Sequence, residues 1–261
     1  MAKVIAICNQ KGGVGKSVSS TNLGIGLARR GQKVLIVDLD NQASQTISLG
    51  WRQPDELSVN IATQLAKIIE NKPFDPHDGI LHHEEGVDLM PSSIELSGLE
   101  MRMVNAISRE FVIKTYVDEL KSAYDTIIFD CPPTLGMITI NALAAADSLI
   151  VPVQPEYLSV IGMTQLFDTV ALVKKQINPG LQIEGVLFTL ANMRTNLAKN
   201  TVVLITEAYG GDIRIFPNPI PYSTKVKEAS AAGKSIFAYE PKGNATHAYE
   251  QLVMEVARNG G

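Results

Sequence analysis

The stretch KVIAICNQKGGVGKS, residues 3–17, joins an apolar, β-branched run directly to a glycine-rich loop. Residues 3–8 predict a buried strand, and residues 17–30 predict a helix that begins where the loop ends. The glycines allow a tight curve that turns backbone N–H groups inward, and the helix N-terminus adds the positive end of its dipole. The stretch therefore predicts a phosphate-binding loop, for which a plain glycine-rich turn is the less favoured alternative.

Two side chains at the end of this loop suit a magnesium nucleotide. Lys16 can reach the β- and γ-phosphates as a point charge, and the Ser17 hydroxyl can ligate Mg²⁺. We therefore expect the chain to bind ATP with Mg²⁺ and to hydrolyse it. The residues predicted to bind the nucleotide at this loop are Lys11, Gly12, Gly13, Val14, Gly15, Lys16, Ser17 and Val18.

Outward from the loop, apolar β-branched runs alternate with helical patterns along the chain. This alternation predicts a three-layer α/β sandwich, with helices on both faces of a mostly parallel twisted sheet, and we expect one P-loop ATPase domain over residues 1–261. The predicted strands are residues 3–8, 33–37, 87–90, 126–129, 149–153 and 183–189. The predicted helices are residues 17–30, 59–71, 96–106, 110–123, 134–145, 161–177, 198–209, 225–232 and 245–257.

The composition restricts the kind of partner that the whole surface can bind. The chain has 261 residues, of which 45% are hydrophobic, and its formal net charge is −4. A protein that binds nucleic acid over its whole surface would be basic, so any DNA binding must use a local patch. We expect a cytoplasmic chain with two reduced cysteines, Cys8 and Cys131, because no apolar run approaches the length of a membrane span.

Residues 51–85 are polar and contain three histidines, His77, His82 and His83. Histidines can ligate metals, but neither a cysteine nor a pair of carboxylates lies at a supporting spacing. We therefore expect a surface insertion here rather than a metal site.

Aspartates follow two of the predicted strands. Asp38 and Asp40 come after the strand at 33–37, and Asp130 follows the strand at 126–129. The carboxyl ends of parallel strands form the edge at which ligands bind in open α/β sheets. Because magnesium bound to a nucleotide borrows one or two carboxylates, Asp130 is predicted to be the Walker B residue, although an aspartate here could also cap a helix or a turn.

One departure from the standard P-loop is informative. Gln10 occupies the position at which the standard motif has glycine, and a second lysine, Lys11, follows it. This deviant loop resembles that of the ParA/MinD family of dimeric ATPases. The resemblance implies that Lys11 reaches across a dimer interface to the nucleotide of the partner, whereas a solvated lysine is the plain alternative.

The resemblance also implies roles for the acidic residues. The segment DLDNQ, residues 38–42, is similar to a family segment in which the first aspartate helps to hold the water shell of magnesium and the second positions the attacking water. By this resemblance Asp38 and Asp130 join Ser17 as metal-site residues, and Asp40 joins Lys16 and Lys11 as catalytic residues. The family's proline in this segment is Asn41 here. The segment DCPP, residues 130–133, matches the switch that follows Walker B, which accounts for Cys131 without an iron–sulfur cluster.

Two further segments carry the resemblance into the last third of the chain. Residues 190–196 resemble the family segment near adenine, so Asn192 and the prolines of the next segment, Pro217, Pro219 and Pro221, are expected near the base. Residues 225–236 resemble a stretch that carries a basic DNA-contacting residue. The residues expected to bind DNA are Arg194, Lys225, Lys227 and Lys242, although lysines in such a run are more often simply solvated.

The resemblance implies an ATPase of the ParA/Soj type that forms a homodimer with ATP, binds DNA without sequence preference and is stimulated by a ParB-type partner. The main alternative is a MinD-like positioning ATPase, which needs a basic amphipathic C-terminal helix to lie on lipid. Residues 247–258 are acidic and predict a packed helix instead, so membrane binding is not expected. A metal-handling or iron–sulfur relative is disfavoured because there are only two cysteines.

Overall fold

The computed structural model describes residues 1–156 and 159–258, and within them seven strands form one sheet in the order β3-β4-β2-β5-β1-β6-β7. The strands are β1 (Lys3–Ile7), β2 (Val34–Asp38), β3 (Leu81–His82), β4 (Val87–Met90), β5 (Thr126–Asp130), β6 (Ser148–Val153) and β7 (Gln182–Phe188). Every pairing is parallel except that of β3 with β4. This sheet confirms the predicted α/β class and its mostly parallel arrangement.

Helices cover both faces of the sheet, because successive residues of each buried strand point to opposite sides. The helices are α1 (Lys16–Ala28), α2 (Ser44–Ser48), α3 (Ile61–Ile69), α4 (Glu95–Met103), α5 (Val112–Asp118), α6 (Met137–Ala145), α7 (Ser159–Gln176), α8 (Asn196–Tyr209), α9 (Thr224–Ala231), α10 (Ile236–Tyr239) and α11 (Asn244–Arg258). On one face, Val4 and Ala6 of β1 join a core with α3 to α8. On the other, Ile5 and Ile7 join a second core with α1 and α9 to α11.

The expectation of a surface insertion at residues 51–85 is wrong for its central part. Helix α3 lies in this stretch, and its residues Ile61, Ala62 and Leu65 are buried in the core of the first face. The sequence predicts a helix at residues 59–71, which includes α3, but the polar composition of the flanking turns gives no sign that this helix packs into the core.

Three short elements of the structure have no predicted counterpart. Strand β3 has only two residues and pairs antiparallel at the edge of the sheet, so it shows no alternating pattern. Helix α2 spans five residues and follows the aspartate segment directly, and helix α10 spans four. None of these elements is long enough to give a periodic signal.

The topology brings several chain segments to one edge of the sheet. Strands β1, β2, β5, β6 and β7 all run in the same direction, so their carboxyl ends meet there. The loop between β1 and α1 and the aspartates at the ends of β2 and β5 therefore share this carboxyl edge. Ligands bind at this edge in open α/β sheets.

Candidate nucleotide-binding site

The loop between β1 and α1 has the backbone that the glycines were expected to allow. Gly13 has a φ of 72° and Gly15 has a φ of 81°, and Gly15 is the residue that caps the N-terminus of α1. Any other residue at these two positions would be strained because its Cβ disfavours the left-handed region. The loop is held from the far side by Thr189, whose hydroxyl donates to the carbonyl oxygen of Val14 at 2.6 Å.

Lys16 lies inside this loop with only 7% of its surface exposed. Its ammonium group donates to the carbonyl oxygen of Lys11 at 3.3 Å, so the side chain folds back along the loop. A buried ammonium with one neutral partner is well suited to an anionic ligand, because it has further donors to offer.

Lys11 occupies a different position. Its ammonium group forms an ion pair with Glu156, the loop residue after β6, at 2.5 Å, and both side chains are partly exposed. Its backbone N–H donates to the side chain of Asn9 at 2.9 Å. Lys11 thus points away from the interior of its own loop.

Two buried carboxylates face each other below the loop. Asp38 and Asp130 are the last residues of β2 and β5 and are partners in the register of these strands. Asp38 accepts hydrogen bonds from Thr46, and Oδ1 of Asp130 accepts one from the Ser20 hydroxyl at 3.0 Å. Within the described part of the chain, Oδ2 of Asp130 is buried and has no hydrogen bond of normal geometry.

The negative charges of this buried carboxylate pair are only partly compensated by neighbouring groups. Burial, followed by the charge of Asp130, raises the pKa of Asp38 above its usual range. Burial likewise raises the pKa of Asp130, although Ser17, Lys16 and Ser20 act in the opposite direction. A divalent cation beside them would compensate the charge and occupy the free oxygen, so the residues present fit a Mg²⁺ site.

Asp40 lies closer to the surface than the buried pair. Its backbone N–H donates to Oδ1 of Asp38 at 3.1 Å, and its own Oδ1 accepts from the N–H of Gln42 at 3.0 Å. Its carboxylate borders the cavity described next. Asp40 is therefore held by the backbone and faces the space above the loop.

A cavity of about 390 Å³ joins the loop to the last third of the chain. Eight of the residues predicted to bind nucleotide, hold the metal or act in catalysis line this cavity: Gly12, Gly13, Gly15, Lys16, Ser17, Val18, Asp40 and Pro221. It also contains residues that the sequence analysis did not single out, namely Ser44, Ser48, Pro133, Thr189, Leu190, Ile220, Ser223, Val226, Ser230 and Tyr249. Several of these follow β7 or belong to α9, whose approach to the loop depends on the tertiary fold and leaves no local pattern.

Three residues predicted to lie near the base do not line this cavity. Asn192 and Pro217 are exposed, and Pro219 belongs to a neighbouring surface cleft. Leu190 takes the position at the cavity instead, with a φ of 51° that is unusual for a leucine. Of the four residues predicted near the base, Pro221 alone lines the cavity, together with Leu190 and Ile220 from the same segments.

The predicted basic residues lie on neighbouring segments. A β-bridge joins Ala191 to Pro221, so the loops that carry Arg194 and Lys225 are adjacent. Pro221 also shares a surface cleft with Lys242. All four basic residues, Arg194, Lys225, Lys227 and Lys242, are exposed. Lys225 pairs with Glu228 at 2.8 Å. The ammonium group of Lys227 lies 5.2 Å from the centroid of the Tyr222 ring, and Lys227 also lines the cavity beside the loop.

No second site of metal or membrane type emerges from the described residues. They contain no group of three potential metal-binding side chains, and none of their helices combines the length and apolar character that a membrane crossing requires. Cys8 and Cys131 are buried free thiols, as predicted.

The fold and this site define a P-loop nucleotide-binding protein of the α/β class. A family model described as an AAA domain matches residues 2–183. The sporulation initiation inhibitor protein Soj of Bacillus subtilis is 40% identical over 264 residues and covers all of both chains. The chromosome partitioning protein ParA of Myxococcus xanthus is 35% identical over 260 residues, which cover 99% of this chain and 89% of the relative. The chain belongs to the ParA/Soj family of partitioning ATPases.

Solved structures share this fold. The cobyrinic acid a,c-diamide synthase of Mycobacterium smegmatis with bound ADP and magnesium superposes with a TM-score of 0.86 at 32% identity, over 99% of this chain and 95% of that one. The septum site-determining protein MinD of Pyrococcus horikoshii, in complex with Mg-ADP, has a TM-score of 0.77 at 23% identity, over 100% and 98% of the chains. The latter likeness supports the fold alone.

Proposed function

We propose that this chain is a Mg²⁺-dependent ATPase, a single domain that dimerises with ATP, binds DNA without sequence preference and helps to segregate plasmid or chromosomal DNA with a ParB-type partner. The observation that carries the proposal is the single cavity bordered by Lys16, Ser17 and Asp40, beside the buried pair of Asp38 and Asp130. In this combination, Lys16 can bind phosphates, Asp38 and Asp130 can hold a metal ion, and Asp40 can orient a water molecule. The names of the Soj and ParA relatives support the partitioning role. Such a protein would act in the cytoplasm, on the nucleoid.

In this proposal the loop binds the phosphates of ATP. The N–H groups of Gly12, Gly13, Val14 and Gly15 surround them, and Lys16 provides the fixed positive charge. Ser17 and Asp130 would hold Mg²⁺, and Asp38 would hold its water shell. When bound, Mg²⁺ neutralises the charge that develops on the transferred phosphoryl oxygens.

Asp40 would orient the attacking water. Its hydrogen bonds to the backbone of Gln42 and to Asp38 fix the segment, and its carboxylate borders the cavity near the loop. A carboxylate in this position can accept the proton that the water loses as it attacks.

Lys11 would act between subunits. Its ion pair with Glu156 keeps it away from its own loop, yet both side chains are partly exposed. An exposed ion pair contributes little to stability, so an anionic nucleotide on a second copy could replace Glu156 at small cost. This exchange would couple ATP binding to dimerisation.

The exposed basic residues support DNA binding by a dimer. Arg194, Lys225 and Lys242 lie on adjacent segments, whereas the chain as a whole has a net charge of −4. Two copies would present twice as many cations to one duplex, and affinity rises steeply with the number of phosphates neutralised. Lys227 is the weakest member of this set because it also lines the nucleotide cavity.

The packing of α11 does not favour binding of this helix to a membrane. In α11, the apolar residues Tyr249, Leu252, Val253 and Val256 are buried against the core. A helix that uses its apolar face inside the protein has none left for lipid.

Co-sedimentation with DNA and with anionic liposomes, each with and without ATP, tests the proposal. We expect the wild type to sediment with DNA only when ATP is present and not with liposomes. Lys225→Ala should weaken DNA binding, whereas Lys175→Ala, at the opposite end of the sheet near the start of β7, should not. If the chain sediments with liposomes but not with DNA, the DNA-binding function is wrong and the MinD-like function is the better one.

A further inference from the structure

Helix α2 contributes one residue to the acidic site that no sequence motif indicated. Thr46 donates two hydrogen bonds to the same oxygen of Asp38, Oδ2, from its backbone N–H at 2.8 Å and from its hydroxyl at 2.7 Å. Both residues are completely buried. Two donors on one oxygen fix the plane of the carboxylate as well as its position.

The other oxygen of Asp38 is also engaged. Oδ1 accepts from the backbone N–H of Asp40 at 3.1 Å. Asp38 therefore connects Thr46 on one side to the Asp40 backbone on the other. A rotation of the Asp38 carboxylate would disturb the support of Asp40 and the oxygens that face Asp130.

The Thr46 hydroxyl has its own support. It accepts a hydrogen bond from the backbone N–H of Ser92, in the loop after β4, at 3.1 Å. Because this bond occupies a lone pair, the hydroxyl proton remains directed to Asp38. The buried chain of contacts thus runs from Ser92 through Thr46 and Asp38 to Asp40.

We propose that Thr46 is a positioning residue for ATP hydrolysis, which orients Asp38 for the magnesium water shell and, through Asp38, Asp40 for the attacking water. This inference rests on the proposed ATPase function. Removing a residue that hydrogen-bonds to a metal-site carboxylate commonly lowers metal affinity or activity by about 10- to 100-fold. Thr46 is completely buried and does not line the cavity, so its effect would pass through the two aspartates.

Three variants separate positioning from simple stability. Thr46→Val removes the hydroxyl with little change in shape, and Thr46→Ser restores it. Thr126→Val is the matched control, because Thr126 is a buried threonine whose hydroxyl bonds to Gln32 at the opposite end of β5. Should Thr46→Val fail to fold, Thr46→Ala takes its place, since it relieves any crowding by the extra methyl group.

The measurements are steady-state kcat and KM for ATP, and the gain in affinity for a fluorescent ADP that Mg²⁺ produces. For Thr46→Val we expect kcat to fall about 10-fold or more at nearly constant KM, and the Mg²⁺-dependent gain to fall by about 10-fold. Thr46→Ser should recover most of both, and Thr126→Val should match the wild type in both.

Wild-type values for Thr46→Val, or equal losses in Thr46→Ser or Thr126→Val, would overturn the positioning role while leaving the ATPase function intact. A wild-type chain that shows no Mg²⁺-dependent hydrolysis at all would overturn the proposed function and this inference with it.

Discussion

The acidic and the basic groups near the carboxyl edge of the sheet are built in contrasting ways. Asp38 and Asp130 are 0% and 1% exposed and sit at fixed positions in the strand register. Arg194 and Lys225 are exposed and lie on loops or the first turn of a short helix. When a buried group loses a hydrogen-bond or charge partner, no water is nearby to replace that partner. Exposed charges are screened by solvent, so each one contributes little and their total number matters most. Substitutions on the acidic side should therefore have large, specific effects, and those on the basic side small, additive ones.

The largest effect should come from Asp40. Asp40→Ala should lower the rate of ATP hydrolysis by roughly 10²- to 10⁴-fold while ATP binding is retained, because a positioned general base contributes about that much. Steady-state phosphate release, with nucleotide affinity measured in parallel, checks this. Unchanged turnover would show that another group positions the water.

Lys16→Ala should have the next largest effect, on binding itself. Loss of the buried ammonium should weaken ATP binding on the order of 100-fold, since hydrogen bonds to charged groups contribute about 1.5–3 kcal/mol. Equilibrium titration with a fluorescent ATP analogue measures this, with Lys175→Ala as the control for loss of one positive charge. Wild-type affinity in Lys16→Ala would mean that the nucleotide binds elsewhere.

Lys11→Ala distinguishes the two lysines of the loop. Nucleotide binding should persist, but the dissociation constant of the ATP-bound dimer should rise by at least about 30-fold. The dimer interface would bury the proposed charge pair between Lys11 and the partner's nucleotide, and truncating one partner of such a pair costs about 2 kcal/mol or more. Glu156→Gln, which frees Lys11, should leave dimerisation intact. Analytical ultracentrifugation with a non-hydrolysable ATP analogue measures the dimer dissociation constant of both variants. An unchanged constant in Lys11→Ala would mean that Lys11 is only a solvated surface residue.

The smallest effects should appear on the basic side. Arg194→Ala and Lys225→Ala should each weaken binding to all DNA sequences alike and flatten the log–log salt slope by about one unit, or by about two if both subunits contribute. Lys225 should show the smaller loss, because its ion pair with Glu228 already competes for its charge. Salt titrations of DNA binding measure the slopes, and a double variant with wild-type affinity at every salt concentration would remove these residues from the interface.

The sequence predicted that Asp38 and Asp130 lie at the carboxyl ends of two strands, because both residues follow strongly apolar runs. Predicted strands 33–37 and 126–129 correspond to β2 and β5, although the structure extends each by one residue to include Asp38 and Asp130. That extension matters, since it places the two aspartates in direct register. A sequence pattern cannot supply it, because an aspartate at a strand end looks the same as one in the following turn.

The other residues of the candidate site are brought together by contacts between segments that are distant in sequence. Thr46, Thr189 and Tyr249 enter the site through the packing of α2, β7 and α11, and no local spacing marks them. The loops after β7 show the same limit, because the resemblance indicated Asn192, whereas Leu190 is the residue of this segment that lines the cavity. Short elements such as β3 were missed since two residues carry no period.

Light scattering measures the mass of the chain in solution with and without Mg²⁺ and a non-hydrolysable ATP analogue, and so tests whether nucleotide drives dimerisation. The proposed exchange of Glu156 for a partner's nucleotide predicts a monomer without the analogue and a dimer with it. A chain that binds the analogue but keeps the mass of a monomer at every concentration would contradict the account.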